Sequence, residues 1–180
     1  MEGGLNVRRI VISGVLGAIA IFLGATRLGF IPVPTAAGNA TIMHVPAIVG
    51  GVMEGWIVGG IIGTIFGLFS FLQATTPLFK DPLVAILPRI FIGITSYFVY
   101  AALKRANEYV ALIVAGVVGT FTNTFLVLGM AVLRGYLSAG VAAGIAVTHG
   151  IPEAIVAAII VVAVVTAWKR IETGRGKAKV

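Results

Sequence analysis

Between Pro82 and Leu103 the chain reads PLVAILPRIFIGITSYFVYAAL, an apolar run that carries one charge, Arg89. A helical rise of about 1.5 Å per residue places that guanidinium on the order of 10 Å inside the run. In a membrane span an unpaired guanidinium at such a depth costs at least ~2.5–3.5 kcal/mol. A bundle retains such a group when another part of the protein, or a ligand, pairs with it. What surrounds Arg89 therefore constrains both fold and function.

Composition supports a membrane setting for the run. The 180 residues are 59% hydrophobic and 11% charged, and the mean hydropathy is +1.09. Soluble domains are nearer ~45–50% apolar and ~25% charged. An integral membrane protein of this length holds about five to seven helical spans and little else. The run from Ile10 to Gly24 has no clean small-x-small cleavage pattern after it and reads as a retained first helix. The chain has no cysteine, which excludes disulfides, thiolate metal sites and cysteine nucleophiles. The formal charge of +7 gathers at the ends of apolar runs, which is a topology signal and not a nucleic-acid surface.

The expected architecture is one all-α transmembrane domain over 1–180, with spans at about 10–25, 41–53, 56–73, 82–103, 109–133 and 150–168. The second span is short: thirteen residues reach only ~20 Å against a hydrocarbon core of ~30 Å. It must tilt, start below the surface or lean on the preceding loop. That loop, 26–40, is rich in Pro, Gly and Asn. It reads as a lid, stiffened by Pro32 and Pro34, hinged at Gly29 and Gly38, and carrying Leu28, Phe30 and Ile31. A second loop is expected from Arg134 to about Val147. Nine Lys and Arg fall on the side of the termini, and three (Arg27, Lys80, Arg134) on the other. The positive-inside rule then puts both termini in the cytoplasm.

With that topology the intramembrane polar residues share one half of the bundle. His44, Arg89, Asn123, His149, Glu153 and Gln73 all fall toward the outside, and Thr41 shares a helical face with His44. The inner half is nearly all Val, Ile, Ala and Gly. A polar cluster closed on the cytoplasmic side describes a site open to the exterior. Each residue also has a plain structural reading. Arg89 either pairs with Glu153 or holds a ligand. His44 either satisfies a carbonyl freed by Pro46 or contacts the ligand. Asn123 either bonds across helices or contacts the ligand. On span one, Ser13/Gly17 and Gly14/Ala18 are small-xxx-small pairs, suited to packing within the bundle or to docking of another subunit.

Catalysis finds little support. Ser13, Ser70, Ser96 and Ser138 lack a glycine-flanked setting facing a histidine. His44, His149 and Glu153 could hold zinc but lack the spacing of a catalytic HExxH site. No Walker motif is present, so the chain cannot use ATP by itself. Neither cofactor nor metal is expected.

Six spans in under 200 residues, a small-residue stripe on span one, a long outer loop and outward polar residues resemble one family. It is the substrate-binding S components of energy-coupling factor (ECF) vitamin transporters. The stretches TIMHVPAIVGG, GLFSF and DPLVAILPRIFIG are similar to the branch with pantothenate- and folate-type members. The resemblance covers Arg8 to Trp168. It implies a bacterial cytoplasmic-membrane protein that captures a vitamin from outside beneath loop one. It also implies a membrane coupling subunit and two ATPase subunits, with Ser13, Gly14, Gly17 and Ala18 as the docking stripe. Pantothenate is the favoured ligand: Arg89 suits a carboxylate, and His44, Asn123 and Gln73 suit hydroxyl and amide groups. Phe30 and the other outer aromatics leave riboflavin open, and Arg27 or Lys80 beside Arg89 leaves folate open. A structural or assembly protein whose polar residues only join helices is the reading of a different class. Such a protein would show no saturable ligand binding.

Overall fold

The structure is a computed structural model describing residues 6–32 and 39–177. They form α1 (Val7–Ala25), β1 (Phe30–Pro32), β2 (Asn39–Thr41), α2 (Val45–Glu54), α3 (Trp56–Leu72), a 3₁₀ turn (Pro77–Lys80), α4 (Pro82–Ala85), α5 (Leu87–Leu103), α6 (Glu108–Leu133) and α7 (Ala139–Lys177). Among them, four stretches are long and apolar enough to cross a membrane: Val7–Ala25, Pro82–Leu103, Glu108–Leu133 and Ala139–Glu172. The apolar α2 and α3 are shorter.

Three boundaries differ from the sequence expectation. The loop before α2 is not irregular throughout: β1 and β2 pair antiparallel, with Phe30 opposite Thr41 and Pro32 opposite Asn39. Thr41 is therefore a strand residue, not on a helical face with His44, and α2 begins only at Val45, next to Pro46. Its ten residues reach about 15 Å, half the ~30 Å of a hydrocarbon core. Of the residues expected to build the lid, Pro34 and Gly38 lie outside the described residues.

The fourth apolar run is broken at Ile86, two residues before Pro88. A proline ring crowds the preceding turn and brings no N–H, so α4 and α5 do not join smoothly. The last helix begins eleven residues earlier than expected, at Ala139, and runs through Pro152. Its alanine-rich start favours helix, and the loop shrinks to 134–138.

Glycine lets α2, α3 and α5 meet backbone to backbone. A Cβ on Gly59 would come within 2.8 Å of the Gly51 Cα and of the Gly93 backbone, and one on Gly93 within 2.6 Å of the Ala47 carbonyl. Further along α3, Gly63 abuts the Arg89 carbonyl and Gly67 the Ala85 carbonyl. Spacings of four put these glycines on one stripe, which seats α3 against the α4–α5 break.

Ion pairs mark the ends of the bundle. Arg8 bridges Glu54 at 2.8 Å and Glu172 at 2.7 Å, and Lys169 pairs with Glu108. The start of α1, the α2–α3 turn, the start of α6 and the end of α7 thus share one end. Asp81 and Arg134 pair at the other, 2.7 Å apart.

On α1 the small residues divide. Ser13 and Gly17 are buried, and a Cβ on Gly17 would press Ile65 of α3 at 2.7 Å. Gly14 has nothing within 4 Å of a Cβ position, and Gly14 and Ala18 are exposed. The four do not form a single outward stripe: Ser13 and Gly17 pack inside this chain.

Candidate functional site

Four of the buried polar residues, His44, Arg89, Thr120 and Asn123, lie at the start of α2, at the α4–α5 break and on α6. His44 caps α2 and is fully buried. Its Nε2 lies 2.9 Å from the Thr120 hydroxyl, which itself donates to the Gly116 carbonyl one turn back, also at 2.9 Å. A hydroxyl has one proton to give. With that proton on the Gly116 carbonyl, the hydrogen-bond pattern assigns the donor of the His44–Thr120 bond to Nε2, the tautomer in which Nδ1 is an acceptor. That Nδ1 is buried with no hydrogen-bond partner among the described residues.

Arg89 owes its place to the proline before it. Pro88 has no N–H for the Val84 carbonyl four residues back, and Arg89 Nη1 donates to that carbonyl in its stead. The rings of Phe79 and Phe66 flank the guanidinium, with centroids 5.0 and 5.6 Å from Cζ. Such contacts favour a cation without neutralising it. Among the described residues no carboxylate pairs with Arg89. Glu153 is engaged elsewhere: its Oε1 accepts the Thr41 N–H at 2.6 Å, tying β2 to α7. Arg89 is 4% exposed, and its Nε has no partner among the described residues.

Asn123 lies one helical turn beyond Thr120 on the buried face of α6, and its Oδ1 is the third buried atom without a partner. One donor, Arg89 Nε–H, and two acceptors, His44 Nδ1 and Asn123 Oδ1, are thus buried with no partner among the described residues. Arg89 lies within electrostatic reach of His44. A buried polar atom left unpaired costs on the order of 1–3 kcal/mol.

The other expected residues take varied places. His149 is buried one turn before Glu153, with Nδ1 3.1 Å from the Thr148 hydroxyl. Gln73 caps the end of α3 and is exposed, apart from the buried layer. Phe30 is exposed on β1. Three participants were not singled out from sequence: Thr120, the Val84 carbonyl and Phe66. The first two had signals, since Thr120 is three residues before Asn123 and Val84 four before Pro88.

Apolar helices long enough to span a membrane, a half-length helix and a buried polar layer define a multi-pass membrane protein with an internal polar site. A family model described as the ECF transporter, substrate-specific component, matches residues 8–165, and the chain belongs to that family. It is 39% identical over 108 residues to the pantothenic acid transporter PanT of Lactococcus lactis subsp. cremoris (strain MG1363), covering 49% of this chain and 54% of that protein. The match thus spans about half the length of that curated relative. In fold the chain is similar to the solved structure described as native-SAD phasing for ThiT from Listeria monocytogenes serovar. That likeness has a TM-score of 0.66 at 17% identity and covers 91% of this chain and 96% of that one.

Proposed function

We propose that the chain is the substrate-capture subunit of an ECF-type importer for a water-soluble vitamin, with pantothenate the favoured ligand. The observation that carries this reading is the set of three buried, partnerless atoms: Arg89 Nε, His44 Nδ1 and Asn123 Oδ1. Their complement is a ligand with an anionic acceptor for Arg89 and two donors for His44 and Asn123. Pantothenate offers a carboxylate, hydroxyls and an amide N–H on one small frame. The name of the curated relative points the same way. Thr41, His149 and Glu153 border the site in this reading, Phe30 with the β1–β2 hairpin covers it, and Gln73 stands at its rim.

Both termini face the cytoplasm, consistent with the cluster of Lys and Arg near the end joined by Arg8, Glu54 and Glu172. The site then opens to the exterior of a bacterial cytoplasmic membrane, with the four long apolar stretches crossing it and the shorter α2 and α3 completing six spans. Import requires a membrane coupling subunit and two ATPase subunits, and the exposed Gly14 and Ala18 of α1 are the part of the small-residue stripe free to meet them. Calorimetry on detergent-purified protein against pantothenate, riboflavin, folate, thiamine and biotin tests the reading. Saturable heat with pantothenate and no nucleotide is expected. A different vitamin as clear winner overturns the ligand choice alone, and silence with all five overturns vitamin capture.

A further inference from the structure

Two of the groups that hold Arg89 come from the short segment between α3 and α5: Phe79 from the 3₁₀ turn and the Val84 carbonyl from α4. Asp81 lies between them in the chain, and both of its carboxylate oxygens are in use. Oδ1 accepts the Leu83 N–H at 3.0 Å and so caps α4. Oδ2 accepts Arg134 Nε at 2.7 Å and the Tyr136 hydroxyl at 3.4 Å. Its main-chain carbonyl accepts from Val84 and Ala85. Arg134 and Tyr136 follow directly on α6, the helix that carries Thr120 and Asn123. The same segment is seated on α6 by apolar contact, with Val84 against Val127 and Ala131, and Leu78 and Phe79 alongside. The Asp81 side chain is 5% exposed, whereas Arg134 is half exposed.

We propose that Asp81 is a positioning residue for the ligand site. Through Arg134 and Tyr136 it fixes the Phe79–Val84 segment on α6, and so fixes the direction in which Arg89 Nε is presented relative to Asn123. This rests on the reading of Arg89 as the partner of the ligand's carboxylate. Asp81 itself touches no ligand. The hydrogen bond from Arg134 holds the Asp81 carboxyl below its ordinary range, which keeps the tie charged at neutral pH.

The test is pantothenate calorimetry on the full chain as wild type, Asp81→Asn, Arg134→Gln, Arg134→Lys, Arg89→Met and the double variant Asp81→Asn/Arg89→Met. Asparagine keeps a capping oxygen for Leu83 and loses the charge. Asp81→Asn and Arg134→Gln should each weaken binding on the order of 5-fold, the most a partly exposed ion pair transmits. Arg134→Lys should restore most of the affinity. On the Arg89→Met background Asp81→Asn should change nothing further, because its effect passes through Arg89. The same fold-loss in both backgrounds, or unchanged affinity in Asp81→Asn and Arg134→Gln, overturns the positioning role alone. Wild-type affinity in Arg89→Met overturns the reading of Arg89, and the role of Asp81 with it.

Discussion

Replacing Arg89 by methionine separates a ligand partner from a structural cation. The guanidinium has one hydrogen bond, to the Val84 carbonyl, two aromatic neighbours and no counter-ion among the described residues. Methionine keeps contact with Phe66 and Phe79, since its sulfur packs well against rings. Losing the bond to Val84 costs about 1.5–3 kcal/mol, the range for a bond with one charged member. Removing an unpaired charge from the apolar bundle returns at least ~2.5–3.5 kcal/mol. The fold should therefore be between about 0.5 kcal/mol less stable and 2 kcal/mol more stable. Binding should respond the other way. Loss of a charge-assisted bond to a carboxylate costs ~1.5–3 kcal/mol, about 10- to 150-fold in dissociation constant. Pantothenate calorimetry and melting in the same detergent read the two effects independently. Unchanged affinity refutes the assignment of Arg89 to the ligand. A large drop in melting temperature with parallel loss of binding shows that Arg89 serves the fold instead.

Gly93→Ala should destabilise by about 1–3 kcal/mol in a detergent melt, because the new methyl meets the Ala47 carbonyl and the Gly59 backbone. A neutral result would mean that the three helices part easily. Gly14→Leu and Ala18→Leu should leave vitamin binding intact and abolish uptake in cells holding the coupling subunit and ATPases; loss of binding in step with uptake refutes a docking role. Thr120→Val strips Nε2 of His44 of its partner, and should cost about 1–3 kcal/mol of stability together with affinity. Retained affinity would show that His44 needs no fixed tautomer.

How much was legible depended on where the deciding contact lies. The apolar segments could be read because hydropathy is a local property, and Arg89 stood out as one charge in a run of 22. The β1–β2 hairpin could not: Pro, Gly and Asn in 26–40 mark a loop but give no alternation to announce strands. The early start of α7 was hidden because AGVAAGIAV has helix-forming alanine but no polar face to set a period. On α1 the choice between Ser13/Gly17 and Gly14/Ala18 turns on a step of about 100° around the helix axis, which only the position of Ile65 decides. The same holds in the site. Sequence suggested that His44 was polar and inside, but its role as an acceptor follows from the hydroxyl of Thr120, 76 residues away.

Pro88 joins the fold to the site, and its replacement tests whether the break at Ile86 exists for Arg89. The proline is fully buried and supplies no N–H to Val84, which leaves that carbonyl for the guanidinium. Alanine at 88 restores the N–H, so α4 and α5 can fuse into one helix. Pro88 stands in the first turn of α5, where a proline is tolerated, so its removal relieves no interior-proline strain. Loss of two buried methylenes costs ~0.8 kcal/mol each, and loss of the bond from Arg89 to Val84 costs a further ~1.5–3 kcal/mol. The variant should thus be about 3–5 kcal/mol less stable. The fused helix would turn Arg89 away from the direction set by Phe79 and Val84, and pantothenate affinity should fall on the order of tenfold, about 1.4 kcal/mol. On the Arg89→Met background Pro88→Ala should cost no further affinity, because its effect passes through Arg89, whereas general damage would lower affinity in both backgrounds. A Pro88→Ala variant that folds and still binds like the wild type would show that the broken helix does not serve the ligand.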